Sequence, residues 1–124
     1  MKRHDAREKA FQTLFQLDFN KEEVEIFIND ISEGYENTFY NRIISGVVNH
    51  LEKLDEMIEQ NLEKWSIDRL AKVEKTIIRM AIYEIKFMED IPKKVSINEA
   101  VELAKKFGDE QAGQFVNGVL AKFI

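Results

Sequence analysis

Residues 70–88 read LAKVEKTIIRMAIYEIKFM, and the apolar side chains in this stretch recur every three or four positions. The recurring positions are Leu70, Val73, Ile77, Met80, Ala81, Ile85 and Met88. This spacing places them on one wide face of an α-helix, and a wide apolar face is typical of a helix at the centre of a bundle. We expect Ser66 to cap the start of this helix and Pro92 to interrupt the chain after it.

Two further helices are predicted after this central one. Ser96-Ile97-Asn98-Glu99 has the pattern of a capping box, which predicts a helix start there, and Gly108 is placed as the C-terminal stop. The apolar positions of the two helices are Val101, Ala104, Phe107, Ala112, Phe115, Val116, Val119 and Leu120. Gly113 and Gly118 lower the helix propensity of the last one, so we expect each to lie close to a neighbouring helix.

Helical spacing also covers the chain before residue 70. Asp5-x-x-Glu8 has the form of a capping box and predicts a first helix from about Ala6 to Asp18. The same spacing predicts a short helix over residues 24–32 and a long one from Asn37 to about Lys64. No stretch alternates between apolar and polar residues as a strand does. The sequence therefore predicts an all-α fold, a compact bundle of six or seven helices in a single domain over residues 1–124.

The composition of the 124 residues agrees with a globular helical protein. Hydrophobic residues make up 44% and charged residues 33%, which supplies both a core and solubility. One proline and five glycines are too few for the frequent turns of a β-sandwich or barrel. The absence of cysteine excludes disulfides, thiolate metal sites and cysteine nucleophiles. No apolar run approaches the ~18 residues that cross a bilayer, so we expect a cytoplasmic protein with no membrane contact.

The formal net charge of −5 is distributed unevenly along the chain. Residues 1–17 hold four basic and two acidic residues, whereas residues 18–36 hold seven acidic residues and one lysine. The N-terminus is therefore weakly basic although the whole chain is acidic. Lys2, Arg3 and Arg7 lie on or just before a predicted helix start, where we expect their long cationic side chains to be free to meet phosphate oxygens.

Aromatic and amide side chains are weaker candidates for nucleic-acid contact. Phe11 and Phe15 could stack on bases, but a spacing of four residues is also typical of core, so at least one of them should be buried. Gln111 and Gln114 lie near the start of the last predicted helix, and helix N-termini accept phosphates readily. We expect Trp65, at the junction of two helices, to pack against its neighbours.

Known catalytic patterns are absent from the sequence. The five glycines form neither a GxGxxG nor a Walker loop, and no serine lies in GxSxG. His4 and His50 are distant in sequence and neither belongs to an HExxH pair, so no metal site is predicted. Glu22, Glu23 and Glu25 are more typical of a solvated helix face than of an acid–base pair. We therefore predict a protein that is not an enzyme and uses no cofactor.

Six blocks of sequence occur in a fixed order along the chain. They are Ala6-Arg7-Glu8, Ile43-x-x-Gly46-Val47, Val73-Glu74-Lys75, IRMAIYEI over residues 78–85, VSINEAVELAKKFG over residues 95–108 and FVNGVL over residues 115–120. Each block alone could arise in any helical domain. Together, and at these separations, they resemble the NusB family of transcription antitermination factors over nearly the whole chain, apart from the acidic residues 18–36.

The resemblance implies an all-helical, non-enzymatic RNA-binding protein. Members of this family pair with the ribosomal protein NusE, and the pair binds the single-stranded boxA element of RNA. The complex acts with RNA polymerase and the other Nus factors to suppress termination on ribosomal RNA operons. Those partners are expected here by resemblance alone.

The resemblance also implies particular site residues. The family's basic N-terminal stretch falls on Lys2, Arg3 and Arg7, whereas His4 and Asp5 stand where relatives often have further basic residues. His4 could still add positive charge beside a phosphate. The expected RNA surface is therefore thinner than is usual in the family.

Two more positions take an expected role from the resemblance. Phe15 stands where relatives often have tyrosine, so it can still stack on a base but lacks the hydroxyl. Glu74 is the position matched to a salt bridge with the basic partner NusE. Its alternative role is that of an ordinary solvated glutamate paired with Arg79 or Lys75.

Two other functions remain open at this point. The acidic net charge and the thin basic stretch are also compatible with a helical protein-interaction module that does not bind RNA. The NusB-like fold occurs besides as the N-terminal domain of ribosomal-RNA cytosine methyltransferases, although a chain ending at Ile124 leaves no room for the catalytic domain unless it is a fragment. A homodimer is possible as well, since an apolar surface patch serves a second copy or a partner equally well.

Overall fold

The computed structural model describes residues 2–17, 22, 25, 38–63 and 66–124. Six α-helices lie in these ranges: α1 (Arg3–Gln16), α2 (Phe39–Asn49), α3 (Leu51–Gln60), α4 (Lys72–Phe87), α5 (Lys93–Phe107) and α6 (Ala112–Leu120). Two short 3-10 turns, Ile67–Arg69 and Ala121–Phe123, complete the described part, which has no strand. The predicted all-α fold is confirmed. The helix predicted over residues 24–32, apart from residue 25, and the packing predicted for Trp65 lie outside the described residues.

The chain forms two compact units, Met1–His50 and Leu51–Ile124. In the first unit α1 packs against α2. The buried apolar side chains on these two helices are Ala6, Ala10, Phe11, Leu14, Ile43, Ile44, Val47 and Val48. The expectation of one domain over residues 1–124 stays a prediction.

Helix α4 has the central place in the second unit. It contacts α3, α5 and α6, and α5 also packs against α6. Nine residues of α4 are buried, namely Thr76, Ile77, Ile78, Arg79, Met80, Ala81, Ile82, Glu84 and Ile85. The wide apolar face that predicts a central helix is therefore confirmed within this unit, since three neighbours cover it.

The predicted starts of two helices are wrong. Helix α1 begins at Arg3, so Asp5 lies in its first turn and the N-cap position falls on Lys2, whose side chain makes no capping hydrogen bond. Helix α4 begins at Lys72 after a 3-10 turn, and Ser66 precedes that turn without capping it through its side chain. In both cases the apolar spacing identified the buried face, but a face does not fix the first hydrogen-bonded turn.

The capping box predicted at Ser96 is wrong for a different reason. Helix α5 begins at Lys93, directly after Pro92, whose φ of −59° suits a helix start. Ser96 therefore lies inside the helix, where its hydroxyl donates a hydrogen bond to Glu84 Oε1 on α4 at 2.9 Å. A buried tertiary partner uses the side chain that the local pattern assigned to a cap.

The single long helix predicted from Asn37 to Lys64 is two helices. Thr38 caps the first, since its Oγ1 accepts a hydrogen bond from the Asn41 N–H at 3.1 Å. The break falls at His50, with φ −119° and ψ 20°, and its ring Nδ1 lies 2.9 Å from the carbonyl oxygen of Gly46. The apolar spacing continues through the break because only one residue separates α2 from α3, so periodicity could not reveal it.

The glycines of the last two helices behave differently from one another. Gly108 ends α5, as predicted. A Cβ atom at Gly113 would lie 3.2 Å from Lys105 Cγ, which confirms a close approach to α5. A Cβ atom at Gly118 would have no neighbour within 4 Å, so the close approach predicted there is wrong.

None of the described helices combines the length and apolarity needed to span a membrane.

Candidate nucleic-acid interface

The N-terminal cationic side chains lie at the start of α1. Lys2, Arg3 and His4 are exposed on or just before the first turn, and Lys9 is exposed one turn further along. We call Lys2, Arg3, His4 and Arg7 the N-terminal basic group. Its first three members are exposed, and their contact with phosphate stays a prediction.

Arg7 differs from the other three because only 3% of it is exposed. The expectation that its side chain is free at the surface is wrong. The apolar positions Ala6, Ala10 and Phe11 on α1 are buried as well, and Arg7 lies on the same side of the helix. Direct contact between Arg7 and RNA stays a prediction, and the exposed Arg3 is the better candidate for a phosphate contact.

An aromatic pair at the start of α2 holds the cationic side chains of α1. The guanidinium carbons of Arg3 and Arg7 lie 5.0 and 4.8 Å from the ring centroid of Phe39. Lys9 Nζ lies 5.1 Å from the ring centroid of Tyr40. These are cation–π distances, and they place three positive charges of one helix on two adjacent rings of another.

Tyr40 is itself fixed by a hydrogen bond. Its Oη lies 2.9 Å from Thr13 Oγ1 on α1, and both residues are half-buried. The Thr38 cap fixes the backbone immediately before the pair. Sequence analysis identified neither Phe39 nor Tyr40 as a site residue. The sequence feature that could have revealed them is a helix-capping threonine followed by two aromatic residues, in a chain with a basic first helix. Apolar periodicity does not detect this feature.

The two phenylalanines of α1 divide between core and surface. Phe11 is 3% exposed and belongs to the core, which confirms that at least one of the pair is buried. Phe15 is half-buried, and its ring centroid lies 5.6 Å from that of Phe11 at an interplanar angle of 32°. Stacking of Phe15 on a base stays a prediction.

Gln111 and Gln114 lie in the second unit, at the start of α6. Gln111 occupies the N-cap position, and its backbone N–H donates to Asp109 Oδ1 at 2.9 Å. A carboxylate thus already occupies a position where a phosphate would bind, and this disfavours an anion at this helix end. Gln114 is exposed and borders an open cavity of about 320 Å³ together with Phe115, Gly118 and Lys122.

Glu74 is half-buried in the first turn of α4, although sequence analysis described an exposed acid. Burial raises the pKa of its carboxyl above the ordinary value of 4.5, and the nearby charge of Asp109 raises this pKa further. Of its two predicted partners, Arg79 pairs with Asp55, whose Oδ1 lies 2.6 Å from Arg79 Nε. The contact of Glu74 with a basic partner stays a prediction.

We expect Glu74→Gln to stabilise the fold slightly at neutral pH. The folded protein holds the Glu74 proton more tightly than the unfolded chain does, so the stability contributed by this residue falls as pH rises above 4.5 through the folded pKa. The gain at pH 7 is no more than about 0.5 kcal/mol because water screens a half-exposed carboxyl. Urea midpoints at pH 7 and pH 4 measure it, and the gain should vanish at pH 4.

An exposed glutamate on α3 supplies the control for this change. Glu59→Gln removes the same charge far along another helix, and we expect its urea midpoint to follow the parent protein at both pH values. A gain for Glu74→Gln that persisted at pH 4 would contradict the electrostatic explanation, since protonated glutamate and glutamine are then both neutral.

The two histidines make no metal site with the residues described. His4 is exposed on α1, and the Nδ1 of His50 faces a carbonyl oxygen that can only accept, so this nitrogen carries the proton. Across residues 2–17, 22, 25, 38–63 and 66–124, no three histidine, aspartate or glutamate side chains are grouped so that they could hold a metal ion.

The fold and this site define the class of protein. It is an all-helical protein in which aromatic rings of α2 contact the basic side chains at the start of α1. The family model described as "NusB family" matches residues 4–124, and the chain belongs to the NusB family. The resemblance found in the sequence is thereby confirmed.

Relatives and solved structures agree with this assignment. The chain is 56% identical to the transcription antitermination protein NusB of Oceanobacillus iheyensis, over 100% of this chain and 99% of that one. It is 52% identical to the protein of that name from Lysinibacillus sphaericus, over 99% and 97%. Among solved structures, T. maritima NusB has a TM-score of 0.84 at 37% identity, covering 99% of this chain and 90% of that one. A crystal structure of antitermination factors NusB and NusE in complex with dsRNA has a TM-score of 0.77 at 32% identity, covering 99% and 97%.

Proposed function

We propose that this protein is a transcription antitermination factor that binds boxA RNA together with the ribosomal protein NusE. The observation that carries the proposal is the exposed cationic start of α1, held on the rings of Phe39 and Tyr40, in a chain that is 56% identical to an antitermination protein over its whole length. The mechanism is binding and assembly with no covalent step. RNA polymerase and the other Nus factors are indirect partners through this complex.

The electrostatics favour RNA binding that depends on a partner. Each phosphate neutralised on a single strand contributes about −0.7 to the slope of log affinity against log salt. Lys2 and Arg3 are the exposed lysine and arginine of the N-terminal basic group, and His4 adds a third cation when it is protonated, so two to three contacts give a slope of about −1.4 to −2. Such a slope indicates weak attraction by this chain alone, which NusE would have to supplement.

The second unit carries the surface that we assign to NusE. Glu74 is half-buried beside Asp109, and both effects disfavour its negative charge in the isolated protein. A basic side chain of a partner placed against Glu74 would reverse that penalty. Support for this partner also comes from the related structure in which NusB and NusE are bound to dsRNA.

A titration of boxA RNA tests the proposal directly. Labelled single-stranded boxA RNA and a scrambled control are titrated with the protein, with and without NusE, at two salt concentrations. We expect NusE to tighten binding to boxA well beyond either protein alone and beyond the scrambled RNA. The double variant Lys2→Ala/Arg3→Ala should weaken binding and make the salt slope shallower by about 1.4, because two phosphate contacts are lost.

Matched variants separate the two proposed surfaces. Lys93→Ala/Lys94→Ala removes two exposed lysines from α5 and should leave the slope unchanged. Glu74→Lys should weaken NusE binding and leave the weak binding of RNA by the chain alone unchanged. Arg7→Ala is a poorer probe than the double variant, because Arg7 is buried and its loss also affects packing.

The same titration decides between the proposal and its alternatives. If NusE binds but neither RNA does, the protein is a helical protein-interaction module without RNA binding. The matched relatives are named antitermination proteins, which does not favour the N-terminal domain of a methyltransferase. A homodimer in place of the NusE complex would appear as a mass of two chains in sedimentation and would compete with NusE.

A further inference from the structure

We propose that Phe39 is a positioning residue for RNA binding: its ring holds the guanidinium groups of Arg3 and Arg7 in the arrangement in which Arg3 meets phosphate. The inference rests on the proposed function. Phe39 would act through the two arginines without contacting RNA itself. All three residues belong to the first unit of the chain.

The geometry shows one ring with two cations. Arg3 is exposed and Arg7 is buried, yet their guanidinium carbons lie within 0.2 Å of the same distance from the Phe39 centroid, at 5.0 and 4.8 Å. The two arginines are four residues apart on α1, so they share one face of that helix. The Phe39 ring therefore contacts both the exposed Arg3 and the buried Arg7 of the N-terminal basic group.

Two like charges at this spacing repel one another, and the ring offsets that repulsion. A cation–π contact is stabilising at an exposed site and more so where the cation is desolvated, as Arg7 is. The ring contact restricts the rotamers of the exposed Arg3 side chain, and ordering a less restricted side chain on phosphate costs more binding free energy. Phe39 thus lowers the entropy cost of the phosphate contact before RNA arrives.

The start of α2 is built to keep the ring in place. The Thr38 side chain caps this helix end, and the neighbouring Tyr40 is hydrogen-bonded to Thr13 on α1. Phe39 itself is half-buried, so its ring is not consumed by the core as Phe11 is. A side chain that served only to fill the core would not need to carry two cations on its ring.

The test compares Phe39→Leu with Phe39→Tyr in the full-length protein. Leucine keeps an apolar side chain but removes the ring, whereas tyrosine keeps the ring. We expect Phe39→Leu to weaken boxA binding in the presence of NusE about tenfold and to make the salt slope shallower, and Phe39→Tyr to restore both. Phe87→Leu is the matched control, since Phe87 is a half-buried ring with Lys53 Nζ at 5.9 Å and lies in the second unit.

A second readout does not depend on RNA. The side-chain Nε–Hε signals of Arg3 and Arg7 in an NMR spectrum should be displaced by the ring in the parent protein and in Phe39→Tyr. In Phe39→Leu we expect both signals to move towards the positions of free arginine, while the helical circular dichroism stays unchanged.

The outcomes are distinguishable. Parent-like RNA affinity and salt slope in Phe39→Leu overturn the positioning role while the proposed function stands. Tighter binding by Phe39→Leu also overturns it, because the ring would then compete with phosphate for Arg3. If the parent protein itself binds no RNA with or without NusE, the proposed function fails, and the role assigned to Phe39 falls with it.

Discussion

Replacing Asp55 by asparagine should lower the free energy of unfolding by about 3 kcal/mol. Asp55 on α3 accepts two hydrogen bonds from Arg79 on α4, at 2.6 Å from Nε to Oδ1 and 2.7 Å from Nη2 to Oδ2. The Arg79 side chain is only 8% exposed, whereas that of Asp55 is 28% exposed. Replacing Asp55 alone removes the negative charge that makes both of these hydrogen bonds to a buried guanidinium, and removing one partner of a buried pair is strongly destabilising.

Equilibrium urea unfolding measures this effect. The midpoint should fall while the dependence of the unfolding free energy on urea stays constant, since the surface exposed on unfolding hardly changes. Glu56→Gln supplies the control, because Glu56 is the adjacent exposed acid on the same helix and its loss should change stability by less than about 0.5 kcal/mol. Equal effects of the two substitutions would contradict the importance of the Arg79 pair.

A double variant tests whether the loss comes from removing only one charge of the pair. Asp55→Leu/Arg79→Met removes both charges and keeps apolar volume between α3 and α4. Because buried ion pairs are often no more stabilising than apolar replacements, we expect the double variant to recover most of the stability that Asp55→Asn loses. If the double variant were as unstable as Asp55→Asn, the lost hydrogen-bond geometry and not the loss of a single charge would explain the result.

The faces of the helices could be predicted from sequence, but the starts of α1, α4 and α5 could not. The central place of α4 follows from apolar spacing alone, because a wide face needs several neighbours to cover it. The end of α5 at Gly108 also followed from one residue. The start of α5 did not follow from the sequence, because the side chain of Ser96 is hydrogen-bonded to the buried Glu84. Glu84 lies twelve residues away, which is outside any local capping pattern. Tertiary hydrogen bonds thus compete with local capping rules.

The charged pairs show the same limit. Sequence analysis offered Arg79 as a partner for Glu74 because the two lie close along one helix. The structure pairs Arg79 with Asp55, which is 24 residues away, in a bidentate geometry that a neighbour on the same helix could not easily match. Proximity in sequence is a poor guide to a buried ion pair, because burial depends on which helices meet.

The candidate site was predicted in part. Lys2 and Arg3 are exposed, as the basic N-terminus suggested. The burial of Arg7 and its contact with Phe39 depend on α2 packing against α1, 32 residues further along the chain. Composition detected the charges but could not show that aromatic rings hold them.

A methyl group added at Gly108 should destabilise the fold by about 2 kcal/mol, because overpacking of this kind costs about 1–3 kcal/mol. The new Cβ of Gly108→Ala would lie 2.5 Å from Ala112 Cβ and 2.8 Å from the carbonyl oxygen of Ala104. Both neighbours belong to rigid positions on α5 and α6, so neither can move away as a flexible side chain would. The backbone φ of −101° is ordinary for alanine, so steric contact alone causes the loss.

Gly118→Ala makes the same chemical change with the opposite expected sign. Its Cβ would meet nothing within 4 Å, and alanine is favoured over glycine inside a helix, so this variant should gain about 0.5–1 kcal/mol. Thermal and urea unfolding of both variants and the parent protein give the comparison. If both alanines stabilised the protein, α5 and α6 would be able to separate at Gly108 without cost. The close contacts of the added Cβ would then not be destabilising, and the steric explanation would be wrong.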